Sequence, residues 1–142
     1  MNCDFRTLRM TDYSEYVRLI NQFRPLNTEV SEGQYTDLYN TIFKNNMIFV
    51  LEHNGKLVAS AKLIIDHKLF HNFAKYGFIE DIIVDVEHRG KQIGVSLVKH
   101  IVDYCRSDDF YKVTLTCKDY LAPFYEKNGF EIYDIHMSRL LE

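Results

Sequence analysis

Tryptophan is absent from this 142-residue chain, proline occurs twice and glycine six times. With so little of either, no Ser-rich stretch and no internal repeat, collagen-like, low-complexity and solenoid architectures are excluded and no interdomain linker is visible. One domain over residues 1–142 is the expectation, long enough for a sizeable core. Cysteine is scarce too: Cys3, Cys105 and Cys117 are odd in number, far apart and form no C-x-x-C pair. They fit no disulfide framework and suit a reducing compartment. No apolar run approaches a membrane-spanning length and no secretory apolar segment opens the chain, so a cytoplasmic protein is expected. An excess of positive charge is missing as well. With 17 Lys and Arg against 20 Asp and Glu the net charge is −3, which argues against general nucleic-acid binding.

What is present is ordinary for a globular chain: 46% apolar and 26% charged residues, with ten tyrosines and ten phenylalanines for an aromatic core. Residues 3–9 read as a strand. Asp12-x-x-Glu15 forms a capping box ahead of a helix carrying Tyr16, Leu19, Ile20 and Phe23, which Pro25 ends. Ser31-x-x-Gln34 opens a second helix with Tyr35, Leu38, Ile42 and Phe43. Met47–His53 and 56–66 are strands joined by Asn54-Gly55, a hairpin signal because both turn positions need positive φ. A polar loop over 67–77 precedes an apolar strand at 78–84. A helix with Ile93, Leu97, Ile101, Val102 and Cys105 on one stripe follows, then a strand at 112–117. A short helix at 121–128 with Gly129 just past its end leads to a last strand at 130–140. The order β-α-α-β-β-β-α-β-α-β is α+β, with a mixed, mostly antiparallel central sheet flanked by helices.

Chemistry concentrates first in Arg89-Gly90-Lys91-Gln92-Ile93-Gly94, between a strand and a helix. Gly90 and Gly94 lack Cβ atoms, so the backbone can turn tightly and approach a ligand. The helix that follows offers unpaired N–H groups and a positive dipole end, which suit a pyrophosphate, and Arg89 and Lys91 add charge. The segment is neither G-x-x-x-x-G-K-[ST] nor G-x-G-x-x-G, so a nucleoside triphosphate or a nicotinamide dinucleotide is not the expected ligand. A basic, glycine-bearing loop that merely starts a helix fits the same residues.

The segment resembles the Arg/Gln-x-x-Gly-x-Gly/Ala cradle with which the GNAT superfamily of N-acetyltransferases binds the CoA pyrophosphate, Gln92 standing where the first motif glycine would be. Its R-G-K-Q-[LI]-G form is similar to that of the eukaryotic-type glucosamine-6-phosphate N-acetyltransferase family. Four further blocks resemble that family in the same order: Ile64-Ile65-Asp66-His67-Lys68-Leu69-Phe70-His71, Phe78-Ile79-Glu80-Asp81-Ile82-Ile83-Val84, Tyr111-Lys112-Val113-Thr114-Leu115-Thr116-Cys117 and Phe124-Tyr125-Glu126-Lys127-Asn128-Gly129-Phe130. The resemblance implies a GNAT fold and acetyl-CoA as cosubstrate without a metal. It further implies acetyl transfer to the 2-amino group of D-glucosamine 6-phosphate in a ternary complex, a step of UDP-N-acetylglucosamine biosynthesis. An intertwined homodimer with exchanged C-terminal strands is also implied, and the apolar ending Ile135, Met137, Leu140 and Leu141 is compatible with it.

Glu80 and Asp81 are adjacent, so on a strand they point to opposite faces, and a carboxylate turned to the sheet centre is costly unless paired. A carboxylate, or a water it holds, can take the proton an amine must lose before attacking a thioester. Two structural charges paired with Lys or Arg fit equally. The resemblance places both at the amino sugar. It also makes Tyr125 the acid at the departing thiolate, where the residues alone read as a core Phe-Tyr pair. For the cofactor it implies Ile82, Ile83 and Val84 through main-chain groups, the Ile82 N–H meeting the oxyanion, with Arg89, Gly90, Lys91, Gln92, Ile93, Gly94, Val95 and Thr116.

For the sugar phosphate the resemblance points to Lys68, Leu69, Phe70, His71 and Lys112, with Arg24 and Arg139 as further cations, although each charge also reads as solvated surface. Met137-Ser138-Arg139-Leu140 places Leu140 where the family carries an Arg that crosses to the partner's acceptor phosphate. A shift of one residue reverses the face, so either a bulge restores Arg139 or Arg24 compensates. His67-x-x-x-His71 has zinc-helix spacing but lacks the following Glu and lies in an expected loop, so no metal is expected. Cys117 has no His beside it in sequence to act as base and reads as a small buried strand residue. Two rivals stand beside the sugar: the same fold acetylating a protein N-terminus, lysine or polyamine, and a silent acyl-CoA-binding module.

Overall fold

The structure, a computed structural model, describes residues 3–141. Its centre is a five-stranded sheet of β1 (Cys3–Thr7), β2 (Met47–His53), β3 (Lys56–His67), β4 (Lys75–Val84) and β5 (Lys112–Leu115), hydrogen-bonded in that order. The first three pairings are antiparallel and β4–β5 is parallel. Parallel neighbours need a crossover. Here α1 (Tyr13–Phe23) and α2 (Glu32–Phe43) precede the hairpin, the single turn α3 (Phe70–Phe73) joins β3 to β4, and α4 (Ile93–Ser107) makes the crossover to β5. A five-residue helix, α5 (Ala122–Glu126), follows β5.

Two cores lie on opposite sides of the sheet. On one, Leu97, Val98, Ile101 and Cys105 of α4 pack on Phe49, Leu51, Leu63 and Ile79, as the apolar stripe of that helix requires. On the other, Leu19 of α1 and Tyr35 of α2 pack on Ile48, Val50 and Ile83. Local chemistry sets several boundaries. Asn54 and Gly55 turn the hairpin with φ of 51° and 77°. Ser31 Oγ accepts from the Gln34 N–H at 3.1 Å while Gln34 Oε1 accepts from the Ser31 N–H at 2.9 Å, a complete capping box.

Five expectations need correction. The Asp12 carboxylate makes no cap hydrogen bond to α1. Arg6 of β1 binds it through two N–H groups at 2.8 and 2.9 Å, and the Arg9 N–H of the preceding 3₁₀ turn at 2.7 Å, so these partners compete successfully for the cap. The loop over 67–77 shrinks, because β3 runs to His67 and β4 begins at Lys75. β5 and α5 are shorter than expected, the latter closing at Gly129 with φ of 91°. The last strand at 130–140 does not form in the single chain. Its alternating apolar residues suit a strand, but the segment joins neither β5 nor the open end of β4, and Ile132, Ile135, Met137 and Leu140 stand 76% to 95% exposed.

Candidate active site

The site is organised by β4. Its ladder with β3 pairs Lys62 with Glu80 and Ser60 with Ile83, so Asp81 and Ile82 oppose the single residue Ala61. This is a β-bulge, and Asp81 occupies the left-handed region with φ of 53°. The extra residue reverses the side-chain alternation. Ile79 belongs to the core under α4, yet Ile83, four residues on, belongs to the core under α1 and α2. The expected opposition of Glu80 and Asp81 across a regular strand is therefore replaced by a bulged pair, both at least partly open to solvent. Glu80 lies 3.7 Å from the Lys62 ammonium. Beside Asp81 stands Tyr16 of α1, its phenol pushed up to about 12 by burial and by the Asp81 charge, and hydrogen-bonded to the buried Ser60. Sequence reasoning missed Lys62, Tyr16 and Ser60, because the register that brings them here depends on the bulge.

Just before the bulge β4 loses its parallel neighbour. The β4–β5 ladder stops at Ile79–Leu115, so Glu80, Asp81, Ile82, Ile83 and Val84 present an edge with no strand beside it. The chain then runs through a single 3₁₀ turn at Val86–His88 to residues 89–94. Gly90 has φ of 80° and Gln92 φ of 59°, two left-handed positions that fold the backbone back on itself before α4. Gln92 stands at the N-cap without a side-chain cap, so the first N–H groups of this 15-residue helix have no side-chain acceptor. A Cβ on Gly94 would meet Val84 at 3.4 Å, which lets the helix sit close against the open edge. Arg89 Nε donates to the Val84 carbonyl at 3.2 Å, while Lys91 is exposed and Ile93 and Val95 are half-buried. These groups can hold a pyrophosphate and the chain attached to it.

Tyr125 of α5 packs against the core under α4 and meets Phe130 edge-on at 6.0 Å. Burial, and then the Cys117 thiol, push its phenol above the ordinary tyrosine value, so it holds its proton at neutral pH. Burial and Asp119 likewise raise the Cys117 thiol, which disfavours the thiolate a covalent acetyl-enzyme would need. Thr116 is exposed just past β5 and lines a groove of about 1890 Å³ that also reaches His71, Lys112 and Tyr125.

The expected phosphate ligands come together only in part. His71, in left-handed backbone with φ of 52°, stacks on Tyr111 at 4.0 Å, and Tyr76 stacks on the same tyrosine at 5.5 Å. Lys68 and Lys112 lie over the Tyr76 ring at 5.3 and 4.9 Å, and Lys68 also pairs with Asp66 at 2.6 Å. Leu69 and Phe70 are exposed beside them. This cluster is four residues of β4 away from Glu80, about 13 Å along the strand. Arg24 is exposed at the end of α1, over the Phe23 ring, and Arg139 lies in the exposed ending, so neither joins the cluster.

A bulged carboxylate pair, an open strand edge and a left-handed turn into an uncapped helix thus follow one another along β4 and the segment after it. The profile of the acetyltransferase (GNAT) family matches residues 13–130, and the chain is an acetyltransferase belonging to this family. More particular relatives agree with one another. The glucosamine 6-phosphate N-acetyltransferase of Candida albicans is 33% identical over 94% of this chain and 92% of its own length. The Arabidopsis thaliana enzyme of the same name is 38% identical over 69% of this chain and 67% of its length. A crystal structure of glucosamine-6-phosphate N-acetyltransferase from Arabidopsis thaliana superposes with a TM-score of 0.90 at 30% identity, covering 100% of both chains.

Proposed function

We propose that this chain transfers the acetyl group of acetyl-CoA to the 2-amino group of D-glucosamine 6-phosphate, giving N-acetyl-D-glucosamine 6-phosphate and CoA. The reading is carried by one observation. β4 joins the carboxylate pair, the open edge and the cradle in a chain whose Candida albicans relative, matched over nine tenths of its length, carries that enzyme's name. Acetyl-CoA supplies the activated acetyl group, with residues 89–94 and the first turn of α4, including Val95, holding its pyrophosphate and Ile82, Ile83, Val84 and Thr116 lining its arm. Binding both reactants on one strand replaces a bimolecular encounter with an oriented one. Glu80 or Asp81, directly or through a water, takes the proton the amine loses as its nitrogen bonds the acetyl carbon. The Ile82 N–H faces the charge that develops on the acetyl oxygen. As the carbon–sulfur bond breaks, Tyr125 gives the sulfur its phenolic proton. No covalent enzyme species intervenes.

Lys68, His71 and Lys112 supply cations for the sugar phosphate, with Leu69 and Phe70 beside them. Arg24, or Arg139 from a second copy, completes the set in a homodimer whose C-terminal segments exchange. The apolar, unpaired ending supports that assembly. Such an enzyme works in the cytoplasm, supplying UDP-N-acetylglucosamine synthesis. CoA release measured with glucosamine 6-phosphate, glucosamine and peptide amines tests the substrate. A clear preference for the phosphosugar is expected, and equal rates on all three would overturn the assignment.

A further inference from the structure

Among the described residues Asp85 is the fully buried carboxylate, 0% exposed, and it lies between the end of β4 and the cradle. Its Oδ1 accepts from Arg18 Nη1 at 2.8 Å and Gln22 Nε2 at 3.0 Å, both on α1. Its Oδ2 accepts from the Glu87 N–H at 3.3 Å and lies 2.8 Å from His88 Nδ1. A carboxylate has about four acceptor positions, so all are engaged. Lys56 adds charge at 3.9 Å, and the Asp85 N–H donates to the Val58 carbonyl at 2.8 Å. Gln22 closes the other side of the turn, its Oε1 accepting from the Val86 N–H at 3.0 Å. Arg18 in turn donates to the Leu57 carbonyl at 2.8 Å. The turn itself contributes no buried side chain and Val86 is 51% exposed, so polar anchors rather than core packing fix its place.

We propose that Asp85 is a positioning residue for the CoA pyrophosphate, given that residues 89–94 hold that group. By tying the 86–88 turn to α1 and to the β2–β3 hairpin, it sets where Arg89 and the backbone N–H groups after it stand. Its influence on the reaction therefore runs through the nucleotide end of the thioester and not through the acetyl group or the amine. Steady-state kinetics of Asp85→Asn with acetyl-CoA and with acetyl-pantetheine, which lacks the pyrophosphate and nucleotide, separate these. The KM for acetyl-CoA should rise about tenfold or more, while kcat and the KM for glucosamine 6-phosphate stay within about twofold. The kcat/KM for acetyl-pantetheine should also stay within about twofold. Equal losses on both thioesters, or an unchanged acetyl-CoA KM, would overturn the positioning role alone. A wild-type protein that transfers acetyl from neither thioester would overturn the functional reading and this role with it. Gln22→Leu, which loosens the same turn from its rim, should show the same split to a smaller degree even if Asp85→Asn does not fold.

Discussion

Tyr125 sits in the half-buried position where a phenol gains acidity control from its surroundings: burial and the neighbouring thiol both raise its pKa. A group that must be protonated to act loses function as pH climbs through its pKa, so kcat should hold across neutral pH and fall only above about pH 10. Tyr125→Phe is expected to lower kcat about 100-fold and to remove that alkaline fall, with CoA affinity by calorimetry nearly unchanged. The roles proposed for Glu80, Asp81 and Tyr125 are legible in the sequence only through their neighbours in family-like blocks. Taken singly, an acidic pair and a Phe-Tyr pair read as surface charges and core aromatics. Lys62, Tyr16 and Ser60 carry no such signal, since what makes them part of the site is a register that no local pattern encodes.

Elements whose signals are local are the legible ones. Asn54-Gly55 and Ser31-x-x-Gln34 each fix a boundary through contacts spanning a few residues, and the structure has both. Ser31→Ala should therefore cost about 1 kcal/mol in urea unfolding. Asp12 shows the limit of such reasoning: its local cap loses to Arg6, six residues back on β1. Asp85 is a stronger case. Burial alone would raise its pKa, but the hydrogen bonds from His88, Arg18 and Gln22 outweigh burial and hold the carboxyl well below the usual range. A depressed pKa contributes stability that is complete at neutral pH and is lost as pH falls below about 4, toward the lower folded value. Thermal melts between about pH 5 and pH 3 should thus show a steeper decline for the wild type than for Asp85→Asn.

At the scale of the molecule, the sheet order and its two cores follow from hairpin, meander and crossover, all foreseeable from element order and apolar spacing. The C-terminal segment is not. Its alternation of Ile135 and Met137 with polar residues announces a strand, yet the segment pairs with neither open edge of its own sheet, the outer side of β5 or the end of β4, so a strand there needs an edge from elsewhere. If a second copy supplies that edge, replacing both residues by lysine should shift the protein from dimer to monomer in sedimentation while leaving the monomer folded. A dimer that persists would show that the interface lies elsewhere.

The parity change in β4 reaches beyond the site it shapes. Ile79 and Ile83 sit one helical turn's worth of residues apart on a single strand, but each answers to a different core. A mutation loosening Ile79 is felt first by α4, whose N-terminus we propose holds CoA, and one loosening Ile83 by the helices nearer Asp81. With the proposed roles, cofactor grip and acceptor choice could therefore drift separately over evolutionary time, although both are written into the same ten residues.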